Sequence, residues 1–200
     1  MKSAMPFLGV PVPKVRSLVR ALASEVTFGD AKAFRDAVLA LWTPAKYREE
    51  RYAALALCAT KAAAPWQDLD ALPMYETMIV EGAWWDYGDE IAAHRLGELL
   101  RRFPKPLRAT MRRWSRDANL WKRRSAILCQ LQHKGATDFA FLEACIEPSL
   151  DSKEFFLRKA IGWALRQHAR VDPAAVKRYV RANDARLSTL SRREALKHLG

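Results

Sequence analysis

No stretch of the 200-residue chain approaches the roughly 18 consecutive apolar residues needed to cross a bilayer, and the amino terminus has no secretory hydrophobic region. These absences argue against a membrane-spanning or exported protein, so a soluble, cytoplasmic one is expected. Cysteine is scarce. Cys58, Cys129 and Cys145 are odd in number, far apart and flanked by helix formers, which argues against a disulfide framework or a zinc knuckle and leaves them as reduced core residues. The four histidines, His94, His133, His168 and His198, show no ligand spacing with one another or with cysteine. Neither a metal site nor a cofactor is expected. Strand patterning is missing too, because no segment alternates polar and apolar residues convincingly.

Charge of one sign is scarce in one half of the chain. Residues 1–42 carry 6 basic and 3 acidic side chains, residues 43–100 carry 5 and 10, and residues 101–200 carry 23 and 9. The net +12 therefore comes from the carboxyl half, which would attract a polyanion. Its basic segments are not paired with an exposed apolar face of the kind that lies in a bilayer interface, so nucleic acid is favoured over membrane.

What the sequence does contain is helix. Leu, Ala, Arg, Glu and Lys recur at helical spacing, and punctuation falls at Pro11 and Pro13, Gly29 with Asp30, Thr43 with Pro44, Pro65, Pro73, Gly82, Pro104 and Pro106, Gly135, Pro148, and Asp172 with Pro173. About eleven helices of ten to eighteen residues are expected from these breaks. Four of them are alike: "RYAALAL", "GDEIAAHRL", "RRSAILCQL" with Arg124 as its second residue, and "KAIGWAL" align at positions 51, 88, 124 and 159, at intervals of 37, 36 and 35. A near-constant period of two helices plus turns predicts an all-α fold, an α-solenoid in which each pair buries its apolar face on the next. Matching positions then become neighbours on one concave basic groove, which gathers Trp85, Asp89, Arg124 and Trp163.

"WWDYGD" with Trp85 and Asp89, "LWKRRSAILCQL" with Arg124, "FLRKAIGWALR" with Trp163, and "PFLGVPVP" near the start together resemble the bacterial AlkD-like DNA alkylation repair glycosylases, built from HEAT-like repeats. The similarity runs over nearly the whole chain and implies one domain over residues 1–200. Only Met1 to Met5 precede "PFLG" here, where family members begin with further helical sequence, so the family's amino-terminal helix is expected to be short or absent. The resemblance implies Asp89 as catalytic carboxylate, Trp85 and Trp163 as indoles bracketing the modified nucleotide, and Arg124 beside it. It also implies double-stranded DNA with alkylated bases as the partner of a monomer near the bacterial nucleoid.

The residue chemistry fits that reaction. A purine alkylated at N3 or N7 is already cationic and leaves without protonation, while positive charge develops on the deoxyribose. A fixed carboxylate stabilises that charge and can orient water, and indole faces attract cations. Arg124 would hold a flanking phosphate. No lysine stands among these four residues, which predicts hydrolysis without strand cleavage. Lys122, Arg123, Lys159 and Arg166 flank the groove as candidate phosphate contacts. Arg112 shares a helical face with Arg108 and Arg116 that could follow a phosphate backbone or could be a solvated outer face.

Other readings of the same residues stay open. Asp86 fits a helix N-cap, and Asp89 by local physics alone fits an acid in that helix's first turn. Trp84, Trp42, Trp66, Trp114 and Trp121 read as packing residues, and Arg192, Arg193 and Lys197 as a polar capping helix. A catalytically silent solenoid that binds nucleic acid or a protein partner is the alternative function.

Overall fold

The computed structural model of the chain describes residues 4–199 and is all-helical over them. It divides into two compact units, Met1–Gly82 and Ala83–Gly200, each with its own core. The run expected as one domain over residues 1–200 is organised in this way.

The first unit holds α1 (Val12–Ala23), α2 (Ala31–Trp42), α3 (Arg48–Leu57) and α4 (Leu72–Gly82). Asp30 caps α2 by accepting the Ala33 N–H at 2.7 Å. Phe34, Val38 and Trp42 then follow at intervals of four, so one face of α2 is wholly buried. The "PFLGV" segment is tied down by Glu49 of α3, whose carboxylate accepts the backbone N–H groups of Leu8, Gly9 and Val10 at 2.9 to 3.1 Å. Gly9 has φ +86°, a left-handed conformation that glycine adopts without steric cost.

The second unit is a stack of helices in two layers. One layer is formed by α5 (Trp85–Glu90), a π-helical segment Ile91–Leu96 and α6 (Gly97–Arg102) as a continuous run, followed by α8 (Leu120–Leu128), α10 (Phe155–His168) and α12 (Thr189–Leu196). The other contains α7 (Pro104–Trp114), α9 (Phe139–Ile146) and α11 (Pro173–Ala182). Their shared core runs from Ala92 through Ile127, Leu128, Leu142 and Ile146 to Leu157, Ile161, Leu165, Val176 and Val180. With the α5 to α6 run counted once, the described residues contain eleven α-helical runs, matching the sequence expectation. Eight of them fall within the expected ten to eighteen residues, and α8, α9 and α12, of nine, eight and eight residues, fall just short of it.

The repeat appears as a recurring offset in the bonds between helices. Asp89 meets Arg124, and Lys159 meets Glu194, each across 35 residues; His133 Nε2 lies 2.9 Å from the Gly97 carbonyl oxygen across 36. Asp151 meets Arg186 across 35 as well. Two glycines allow this stacking. A Cβ on Gly97 would lie 2.8 Å from the Cys129 carbonyl oxygen, and one on Gly162 would lie 2.6 Å from Glu194 Cβ. All three cysteines are buried and none forms a disulfide, with burial pushing the Cys145 thiol up to about 12.

Candidate functional site

Asp89 stands at the end of α5, where the chain changes from α to π geometry. Such a segment inserts an extra residue into a turn and re-aims the side chains beside it. Asp89 is 7% exposed. A buried carboxylate needs a partner, and Arg124 of α8 supplies two bonds: its Nε donates to Oδ1 and its Nη2 to Oδ2, both at 2.7 Å. Arg124 Nη1 donates to the Phe156 carbonyl oxygen. Three of its five N–H donors are thus engaged within the protein. Burial pushes the Asp89 carboxyl above its ordinary value, Arg124 opposes that, and the charge of Asp86 adds to it. A bidentate bond of this geometry requires both oxygens to accept, as the carboxylate does.

A cavity of about 290 Å³, at the lower end of the range for small-ligand pockets, opens beside the pair. Its walls are Trp85, Asp89, Arg124, Phe155, Phe156, Lys159, Trp163, Arg166 and Glu194. The structure therefore gathers Trp85, Asp89, Arg124, Lys159, Trp163 and Arg166 from three helices around one space, with both indoles half-buried. Lys159, Trp163 and Arg166 are four and then three residues apart on α10, so they share one face. The amino terminus of that face is Phe155, 56% exposed.

Three of the proposed phosphate contacts do not line the cavity. Lys122 bonds Asp117 at 2.6 Å and lies 5.4 Å from the Trp114 ring; its hydrogen bond is the main cause that holds the Asp117 carboxyl low. Arg123 donates to Ser149 Oγ and to the Pro148 carbonyl oxygen. Arg112 is exposed on α7 in the other layer, its guanidinium 5.9 Å from the Phe141 ring, while Arg108 of the same face bonds Asp138 at 2.6 Å.

Several local expectations are corrected. Trp84 occupies the N-cap position of α5 and Asp86 falls in the first turn, while Asp89 lies beyond that turn. Trp84 is half-buried, its indole 6.1 Å from the Phe156 ring in an edge-on contact. Trp66 is half-buried in a 3-10 turn, whereas Trp42, Trp114 and Trp121 are buried as expected. A lysine does join the cluster: Lys159 lines the cavity, its ammonium 3.1 Å from Glu194.

Sequence reasoning missed Phe155, Phe156 and Glu194. Phe155 lies four residues before Lys159 and eight before Trp163, a helical spacing visible in the sequence. Glu194 lies 35 residues after Lys159, one further step of the repeat already seen at 124 and 159.

A search of curated proteins returned no match. The family described as DNA alkylation repair enzyme matches residues 1–199. Among solved structures, a protein from Enterococcus faecalis described as a predicted DNA alkylation repair enzyme superposes with a TM-score of 0.87 at 26% identity, over 98% of this chain and 89% of that one. The chain belongs to the DNA alkylation repair enzyme family, and its role is in the repair of alkylated DNA.

Proposed function

We propose that the protein is a monofunctional DNA glycosylase acting as a monomer on duplex DNA in the bacterial cytoplasm, and that it hydrolyses the N-glycosidic bond of cationic N3- and N7-alkylpurines. The observation that carries this reading is that one carboxylate, fixed by Arg124, shares a cavity with two half-buried indoles. As the bond from C1′ to the base nitrogen lengthens, its electron pair moves onto the cationic base and neutralises it. The deoxyribose becomes positive instead. Asp89 opposes that charge and accepts a hydrogen bond from the attacking water, whose oxygen joins C1′ and whose proton is released to solvent. Trp85 and Trp163 attract the same cation, by about 0.5 to 2 kcal/mol for each face in contact.

Arg124 keeps Asp89 ionised and aimed, so one paired guanidinium positions the reacting group, and its remaining N–H groups are available to a flanking phosphate. Lys159 is an ammonium paired with Glu194, and an ammonium has no lone pair for attack on the sugar. That supports hydrolysis without a covalent intermediate. The test is incubation with methylated duplex DNA. Release of 3-methyladenine and 7-methylguanine is expected, with no adduct trapped by borohydride and no release of uracil or 8-oxoguanine. Efficient excision of either neutral base would overturn the mechanism.

A further inference from the structure

Glu194 is the one cavity-lining carboxylate for which the proposed chemistry has no role. It enters from α12, where its Cβ packs over Gly162, a position at which any side chain would collide with it at 2.6 Å. Its carboxylate accepts from Lys159 Nζ at 3.1 Å and from Arg166 Nη1 at 2.5 Å. These two cations lie on either side of Trp163 along the same face of α10, so Glu194 bridges them beside that indole. The side chain is only 14% exposed. The Lys159 hydrogen bond is the main cause that holds its carboxyl below the ordinary glutamate value, with Arg166 and Lys197 acting in the same direction, so it is an anion at neutral pH.

Such an anion has a cost for a DNA-binding surface. Two cations facing the cavity are already engaged by a carboxylate, which competes with phosphate for both. The same anion has a benefit for a site that must accept a positively charged nucleotide. The cavity is lined by three cations, Arg124, Lys159 and Arg166, and two carboxylates, Asp89 and Glu194. With both carboxylates its charge is +1; without Glu194 it would be +2.

We infer that Glu194 is a specificity-determining residue: by neutralising Lys159 and Arg166 beside Trp163 it lets the cavity favour a cationic nucleotide over a neutral one, at the expense of affinity for undamaged DNA. This deepens the glycosylase reading and rests on it. The isosteric variant Glu194→Gln separates the effect from packing, because it keeps the shape over Gly162 and removes the charge. Two readouts follow. The first is the affinity ratio between a duplex carrying a cationic pyrrolidine in place of the lesion sugar and an identical duplex carrying neutral tetrahydrofuran. This ratio should fall by about fivefold in the variant, the order expected for one charge at close range in a partly solvated cavity. The second is the salt dependence of binding to undamaged duplex, whose log–log slope should steepen by about 0.9 for each cation released to phosphate. A merely structural residue would lower the melting temperature and move neither.

A folded Glu194→Gln protein with both readouts unchanged would overturn the inference. If that variant does not fold, Lys159→Gln, at a side chain 40% exposed, gives the opposite prediction: the cationic-to-neutral ratio rises. An unchanged or lowered ratio there would be equally fatal. Excision of methylated duplex by the unaltered protein reads the glycosylase proposal separately, so a shift in charge discrimination without any excision would refute that proposal alone.

Discussion

Asp89 is held by the bonds that keep Arg124 in place, and this sets what its replacement does. Asp89→Asn leaves the buried guanidinium without its counter-charge, a change that typically costs about 3 to 5 kcal/mol. Loss of one preorganised electrostatic group also typically lowers the rate by about 10² to 10³. The two effects are separable by measuring single-turnover excision below the melting temperature of each variant, with Asp86→Asn as the neighbour that should keep excision. Equal rates in the two variants would leave Asp89 as a structural half of an ion pair. A second consequence concerns pH. Burial raises the Asp89 carboxyl above the ordinary 3.8, so on acidification the required anion is protonated earlier than an exposed aspartate would be. The acid limb of the excision rate should therefore have its midpoint above 3.8. A rate still flat below that value would show that the anion is not needed.

At the scale of elements, three glycines make opposite predictions from their surroundings. Gly97→Ala and Gly162→Ala force a Cβ against the Cys129 carbonyl oxygen and against Glu194 and Ser191, so each should lose about 1 to 3 kcal/mol of stability. Gly88, in α5, has nothing within 4 Å of a Cβ, and Gly88→Ala should gain about 0.5 to 1 kcal/mol. Urea unfolding of the three variants checks the signs, and a stable Gly162→Ala would contradict the close approach of α10 and α12. Helix boundaries marked by proline or glycine were legible in the sequence: Pro104 opens α7, and Asp172 with Pro173 opens α11. Boundaries set by side-chain caps alone were not. Asn119, Asp138 and Ser188 open α8, α9 and α12 by accepting backbone N–H groups, and such residues also occur in many places where no helix begins. The π segment after Glu90 was illegible as well, since its residues are ordinary helix formers and only packing selects the wider turn.

For the whole molecule, the charge belongs to one unit. Residues 83–200 carry 24 basic and 13 acidic side chains, against 10 and 9 in residues 1–82. Affinity for undamaged duplex should accordingly fall with ionic strength at a log–log slope of about −0.9 for each phosphate contact. A flat response would remove the basic side chains of this unit as phosphate contacts. The gathering of Trp85, Asp89, Arg124 and Trp163 was legible because the repeat interval turns distance along the chain into proximity. The commitments of Arg123 to Ser149, and of Arg112 to the α9 side, were not, because a cation that grips its neighbour and one that awaits a ligand have the same sequence.

Asp89, Arg124, Lys159 and Glu194 stand 35 residues apart in succession, and their charges run minus, plus, plus, minus across α5, α8, α10 and α12. Opposite charges one step apart, Asp89 with Arg124 and Lys159 with Glu194, join neighbouring helices, so the side chains that set the charge a guest meets also tie the stack together.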